Sequence, residues 1–144
     1  MMLCEKYKEQ FLQPEVRCDT YIGIEIKQVW FAELQLLEKF IDVCNKHGLS
    51  YQLVGGSLLG AIRHKGFIPW DDDVDVGMLR PDYDRFVQLA KNELEAPFFL
   101  QTPLTDPGRN IDYVQIRNSA TTAIDLRYVD DHNTFNQGIF IDIF

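Results

Sequence analysis

The 144-residue sequence predicts an α/β fold, and three observations carry that prediction. Residues 24–47 place Val29, Leu36, Leu37, Phe40, Ile41, Val43 and Cys44 on one stripe at helical spacing, while Glu25, Lys27, Glu33, Glu38, Lys39, Asp42 and Lys46 take much of the remainder. Residues 51–54 read as a buried strand that runs into the pair Gly55-Gly56 and then a helix. Residues 73–78, Asp-Val-Asp-Val-Gly-Met, alternate strictly. A period of two sends Asp73 and Asp75 to one face and Val74, Val76 and Met78 to the other.

The elements follow in order. Residues 1–22 show no clean period and read as an irregular lead-in with one short helix at most, leaving 23–144 as the domain. Gly48 stops the long helix, and His47 beside it complements the last carbonyls. Trp30 and Phe31 are read as core or interface and not as a cofactor platform. Ser57 is a good N-cap for a helix through about Lys65, with Gly66 as its stop, and Leu58, Leu59 and Ile62 are expected on the sheet. A side chain at Gly56 is expected to obstruct a ligand phosphate or strain the turn, so Gly56→Val should weaken ligand binding far more than Gly60→Ala, since Gly60 lies within the helix. Residues 67–70 form an apolar connector in which Trp70 packs or stacks on a base. Pro81 and Asp82 open a further helix that Pro97 cannot continue. Residues 98–101, 112–117 and 121–128 read as strands, and 129–138 as an exposed loop with His132 solvated. A last apolar strand holds Asp142 between Ile141 and Ile143.

Composition narrows the function. Hydrophobic content of 46% and charged content of 25% suit a globular domain with one core. A net charge of −8 argues against a nucleic-acid partner, whose phosphates need a basic footprint. Three cysteines without metal-like spacing favour a reducing, cytoplasmic setting, with attachment at the inner face of a membrane left open. The polar N-terminus does not read as a signal peptide, and no apolar run is long enough to span a bilayer. The chain stops inside the run 139–144, which reads as the edge of a longer protein whose last strand would lie uncovered.

Asp73 and Asp75 beside a glycine turn suit Mg²⁺, which takes one or two carboxylates, waters and phosphate oxygens. Like charges alternating on one strand face repel without a cation. The free N–H groups after Gly55 and Gly56 suit a phosphate. Asp142, a lone carboxylate among apolar neighbours, is costly to bury without a charged partner. A solvated acidic turn and an edge strand showing Asp142 to water are the plainer alternatives.

The stretch Gly55-Gly56-Ser57-Leu58-Leu59-Gly60-Ala61-Ile62-Arg63-His64-Lys65-Gly66-Phe67-Ile68-Pro69-Trp70-Asp71-Asp72-Asp73-Val74-Asp75-Val76 resembles the LicD family of phosphocholine and phospho-alditol transferases, with fukutin-related ribitol-phosphate transferases as distant relatives. Arg117-Asn118-Ser119-Ala120-Thr121-Thr122 and residues 138–144 are similar to that family too. The resemblance implies a nucleotidyltransferase-type mixed sheet with helices mainly on one side. It also implies a Mg²⁺ site of Asp73, Asp75 and Asp142, which would be the catalytic set, and a donor site of Gly55, Gly56, Ser57, Arg63, His64, Lys65 and Arg117. The implied reaction moves phosphocholine from CDP-choline, or a similar group from another CDP-alcohol, to a glycan such as lipopolysaccharide or teichoic acid. An NTP-dependent nucleotidyltransferase and a non-catalytic metal- and nucleotide-binding piece remain as alternatives.

Overall fold

A computed structural model of the chain describes residues 3–109, 111–124, 126, 129 and 134–144. The lead-in is more ordered than its sequence suggests. It holds two helical turns, α1 (Leu3–Lys6) and α2 (Lys8–Phe11), and a hairpin of β1 (Glu15–Arg17) and β2 (Thr20–Ile22). Cys18 and Asp19 turn that hairpin with φ 50° and 58°, the left-handed pair of a two-residue loop. Three-residue strands are too short to show a period, and Val16 and Tyr21 point outward, so the hairpin leaves no apolar signature.

The long helix α3 (Ile24–His47) ends as expected at Gly48, which takes φ 63° while Leu49 N–H bonds back to the Cys44 carbonyl at 2.9 Å. Its polar face does not stay wet throughout. Lys27 is buried and pairs with Glu15 at 3.0 Å, and Glu33 is only 2% exposed. His47 and Lys46 both hold Glu93 of the later helix.

The main sheet comprises β3 (Gln52–Leu53), β4 (Asp75–Gly77), β5 (Phe98–Gln101), β6 (Val114–Asn118) and β7 (Ile139–Ile143), in the spatial order β3-β4-β7-β6-β5. Among the described residues β4 and β7 pair in parallel and the other neighbours are antiparallel, so the sheet is mixed. β3 is a short edge strand, with Gln52 exposed, rather than a buried one. Val74, Val76, Leu100, Val114, Ile116, Ile141 and Ile143 form one apolar face. Leu36, Phe40 and Cys44 of α3 cover it together with Phe86 and Ala90 of a second helix, labelled here α5 (Arg80–Glu93). Ile141 and Ile143 are therefore core residues and do not lie uncovered. No strand occurs among the described residues of 121–128, and His132 falls outside the described residues.

Between β3 and β4 runs α4 (Gly55–Arg63), and it differs from expectation in three ways. Val54, not Ser57, is the N-cap, because the helix begins at the glycine pair itself. Lys65, not Gly66, takes the left-handed conformation at φ 58°. Leu58, Leu59 and Ile62 are largely exposed, whereas Gly60 is buried: a Cβ there would lie 2.5 Å from the Gly66 carbonyl oxygen. The helix packs by close backbone approach instead of by its large side chains.

Candidate active site

The period of two that splits aspartates from valines before and along β4 survives folding. Val74 and Val76 are 4% and 0% exposed in the core, and Asp73 and Asp75 take the other face. The parallel ladder to β7 sets Asp75 opposite Asp142, and the Asp142 N–H donates to the Val74 carbonyl at 3.0 Å. Residues in register on neighbouring strands stand about 4.8 Å apart and point the same way, so these two carboxylates share one side of the sheet. Antiparallel β6 extends the row by placing Gln115 opposite Asp142, and β5 sets Gln101 opposite Gln115. Asp, Asp, Gln and Gln thus cross four strands on the face opposite the one that α3 and α5 cover.

The start of α4 closes one side. Ser57 Oγ accepts the Asp75 N–H at 2.8 Å and so ties the first helical turn to β4. Gly55 takes φ 55°, and a Cβ on it would sit 3.2 Å from Asp75 Oδ2; a Cβ on Gly56 would sit 2.6 Å from Asp71 Oδ2. The glycine pair therefore lets two carboxylates approach the helix N-terminus, whose unpaired N–H groups and dipole favour negative charge. Trp30 fixes the connector: its Nε1–H donates to the Asp71 carbonyl at 2.8 Å, and its ring stacks on Phe67 at 4.7 Å.

Crowding of like charges shows in the protonation equilibria. Burial, then the charges of Asp75, Asp71 and Asp72, push Asp73 up to about 6. Burial and Asp71 raise Asp75. Asp142 is raised by burial, against a hydrogen bond from Gln115 Nε2 at 2.6 Å that favours its ionised form. Glu33 of α3 joins this group, pushed up to about 9 by burial and by Asp72, Asp73 and Asp71, and its Oε2 has no hydrogen-bond partner among the described residues. Its spacing held the clue: Val29, Glu33, Leu36 and Leu37 share one helical face, so the carboxyl lies on the apolar stripe.

Two cavities meet at Asp142. One of about 420 Å³ is lined by Glu33, Asp72, Asp73, Phe140 and Asp142 among others; another of about 330 Å³ is lined by Arg109, Tyr113, Gln115, Arg117, Phe140 and Asp142 among others. Among the described residues, no three His, Cys, Asp or Glu side chains converge closely enough to cage a metal by themselves.

Three of the basic candidates lie away from the glycine pair. Arg63, His64 and Lys65 follow the far end of α4, about 12 Å from the glycine pair at 1.5 Å per residue. Arg63 and Lys65 are exposed, and His64 is lowered by burial, Arg63 and Arg17. Trp70 is 65% exposed, its ring 6.0 Å from that of His64 and nearly perpendicular to it, so this connector residue faces solvent instead of packing down. Arg117, expected to contact substrate, is 3% exposed, and three of its nitrogens already donate within the protein.

Residues 48–142 match the family described as LicD/FKTN/FKRP, nucleotidyltransferase domain. The chain belongs to this family. Within this LicD-family domain, 69 residues are 49% identical to the lipopolysaccharide cholinephosphotransferase LicD of Haemophilus influenzae, covering 48% of the chain and 26% of that protein. An 84-residue segment is 34% identical to an uncharacterised Rickettsia typhi protein, covering 54% and 27%. A 53-residue segment is 49% identical to human ribitol 5-phosphate transferase FKRP, covering 37% and 11%. The LicD-family domain thus spans about a quarter or less of the length of these relatives. No helix among its described residues is long and apolar enough to cross a membrane.

Proposed function

We propose that this domain is the catalytic core of a Mg²⁺-dependent phosphotransferase. It moves phosphocholine, or a related phospho-alcohol, from a CDP-linked donor to a sugar hydroxyl of a cell-surface glycan such as lipopolysaccharide or teichoic acid. The observation that carries this reading is the parallel register of Asp75 with Asp142, with Asp73 on the same face. The names of the relatives, a cholinephosphotransferase and a ribitol 5-phosphate transferase, agree on the class of group moved.

The donor set fits Mg²⁺. Carboxylate oxygens are hard ligands, and the ion needs only one or two of them beside water and phosphate. The raised pKa values of Asp73, Asp75 and Asp142 reflect desolvated negative charge that a divalent cation offsets. When bound, the ion neutralises the donor phosphates and holds them for in-line attack.

The chain's own residues supply the rest. Gly55 and Gly56 let the Asp75 and Asp71 carboxylates close on the start of α4, whose N–H groups would meet a metal-bound phosphate there, and Ser57 holds that turn against β4. Arg63, His64 and Lys65, with the exposed Trp70 ring, form the surface for the nucleotide half of the donor. Asp142 stands between the two cavities, where it faces donor on one side and acceptor on the other. Burial raises its pKa and so makes it a stronger base than a solvated aspartate: it takes the acceptor hydroxyl proton as that oxygen bonds to the phosphorus bearing the alcohol. The P–O bond to CMP breaks, and its electron pair leaves with CMP.

The test is CMP release from CDP-choline with Mg²⁺ and a glycan acceptor. Release that stops with chelator and in Asp142→Asn supports the reading. Pyrophosphate released from an NTP would favour nucleotidyl transfer instead, and Mg²⁺ and nucleotide binding without turnover would make the domain a binding module.

A further inference from the structure

Behind Asp142 lies a file of buried polar side chains. Gln115 Nε2 donates to Asp142 Oδ1 at 2.6 Å, and Gln115 Oε1 accepts from Arg117 Nη2 at 2.7 Å. Arg117 Nε donates to Gln101 Oε1 at 2.6 Å, and Nη1 to the Gly138 carbonyl at 2.6 Å. Gln101 Nε2 then donates to Asp106 Oδ2 at 2.7 Å and to the Asn136 carbonyl at 3.0 Å. Gln101, Gln115 and Arg117 are 0%, 1% and 3% exposed, and the Arg117 guanidinium lies 4.4 Å from the centre of the Phe140 ring.

The chemistry fixes the direction of every link. A glutamine amide can offer Asp142 either its oxygen or its nitrogen, and only the nitrogen suits a carboxylate. A guanidinium has donors alone and a rigid fork, so Arg117 holds the Gln115 oxygen on its own side and turns the nitrogen toward Asp142. Gln101 and Gly138 hold the fork in turn, and the ring of Phe140 fixes its plane. Desolvation and Arg109 lower Arg117 to about 10, which leaves it a cation at neutral pH.

We infer that Gln115 and Arg117 are positioning residues for the site carboxylate Asp142: Arg117 acts through the Gln115 amide to orient Asp142 and leave its second oxygen for the cation or the acceptor. The inference rests on Asp142 being a working carboxylate of the proposed site. It gives Arg117 a role without substrate contact, and it gives roles to Gln115 and Gln101, which composition and motif leave unmarked.

The first readout needs no turnover. It is the side-chain amide NMR signal of Gln115 in the metal-free chain, assigned by its loss in Gln115→Met. Asp142→Asn and Arg117→Lys should each move that signal toward the position of a free amide. A signal that answers to Asp142→Asn but not to Arg117→Lys overturns the relay. Should Arg117→Lys fail to fold, Gln101→Met removes the acceptor of Arg117 Nε and decides the same point: movement supports the relay, and none overturns it. The second readout is kinetic, with CDP-choline and Mg²⁺. Loss of an outer partner costs about 10–100-fold in activity or metal affinity. Arg117→Lys and Gln115→Met should each lower kcat within that range with donor KM unchanged, and the double variant should fall no further than Gln115→Met. Losses that multiply, or a raised KM at constant kcat, overturn it in favour of direct substrate contact. A wild-type chain without turnover counts against the proposed function, and the NMR result still decides the relay.

Discussion

Asp73 and Glu33 face the same physical problem from two elements, since each is a carboxyl whose charge is penalised by burial and by aspartate neighbours. The ordinary value of 3.8 for Asp73 rises to about 6, and 4.5 for Glu33 rises to about 9. A carboxyl raised in the folded state keeps a proton that the unfolded chain has already released, so stability falls as pH climbs from the unfolded to the folded value. The metal-free chain should therefore show a Tm that declines from pH 5 to pH 9. Asp73→Asn should flatten the lower part of that decline and Glu33→Gln the upper part. Mg²⁺ added at pH 8 should raise the wild-type Tm, because it binds the folded cluster and not dispersed aspartates. A Tm that climbs across this range would contradict the charge arrangement. In a companion measurement, Asp75→Asn should remove Mg²⁺-supported nucleotide affinity in calorimetry while circular dichroism stays native. The aspartates were legible because alternation reports facing. Glu33 counts as solvated in the sequence because its charge outweighs its position on the apolar stripe, and Gln115 and Gln101 go unmarked because an uncharged amide in a strand carries no signal of its neighbours.

At the scale of elements, α4 shows what pattern reading resolves and what it does not. Its existence was legible from a strand running into two glycines and a short apolar run. Its packing was not, because close backbone approach leaves no periodic mark. A Cβ on Gly60 would meet the Gly66 carbonyl oxygen at 2.5 Å and the Ile68 nitrogen at 3.2 Å, both backbone atoms that yield poorly. Gly60→Ala should therefore cost about 1–3 kcal/mol, the range of overpacked positions, and lower the Tm. Gly56→Val meets the tip of the Asp71 side chain first, not backbone, so its main effect should be lost donor binding. The two variants separate by readout, stability for one and affinity for the other. A Gly60→Ala chain with unchanged Tm would show that the turn at 66–68 relaxes freely. The hairpin of β1 and β2 was missed for a related reason: Cys18 and Asp19 adopt the left-handed turn without the glycine that announces it.

At the scale of the whole molecule, chain order and spatial order part company, and this decides what the last strand does. β7 closes the sequence but sits third in the sheet, parallel to β4 on one side and antiparallel to β6 on the other. Individual strands at 98–101 and around 112–117 were legible from composition, but which strand lies beside which depends on long-range contacts that no local pattern encodes. The consequence is testable by a chain that stops after residue 138. It loses Ile141 and Ile143, which are 1% and 0% exposed, together with the half-buried Ile139. At about 1.5–3 kcal/mol for a fully buried aliphatic side chain, the two isoleucines alone contribute roughly 3–6 kcal/mol. A domain of ordinary stability, about 5–15 kcal/mol, has little left once the ladders on both sides also open. The shortened chain should lose its cooperative melting transition and its dispersed amide spectrum, because β3-β4 and β6-β5 become separate two-stranded pieces with a gap between them. Adding a synthetic peptide of residues 139–144 in trans should restore part of the dispersion by refilling that gap. A shortened chain that melts cooperatively near the wild-type temperature would show that α3 and α5 hold the two halves together without β7.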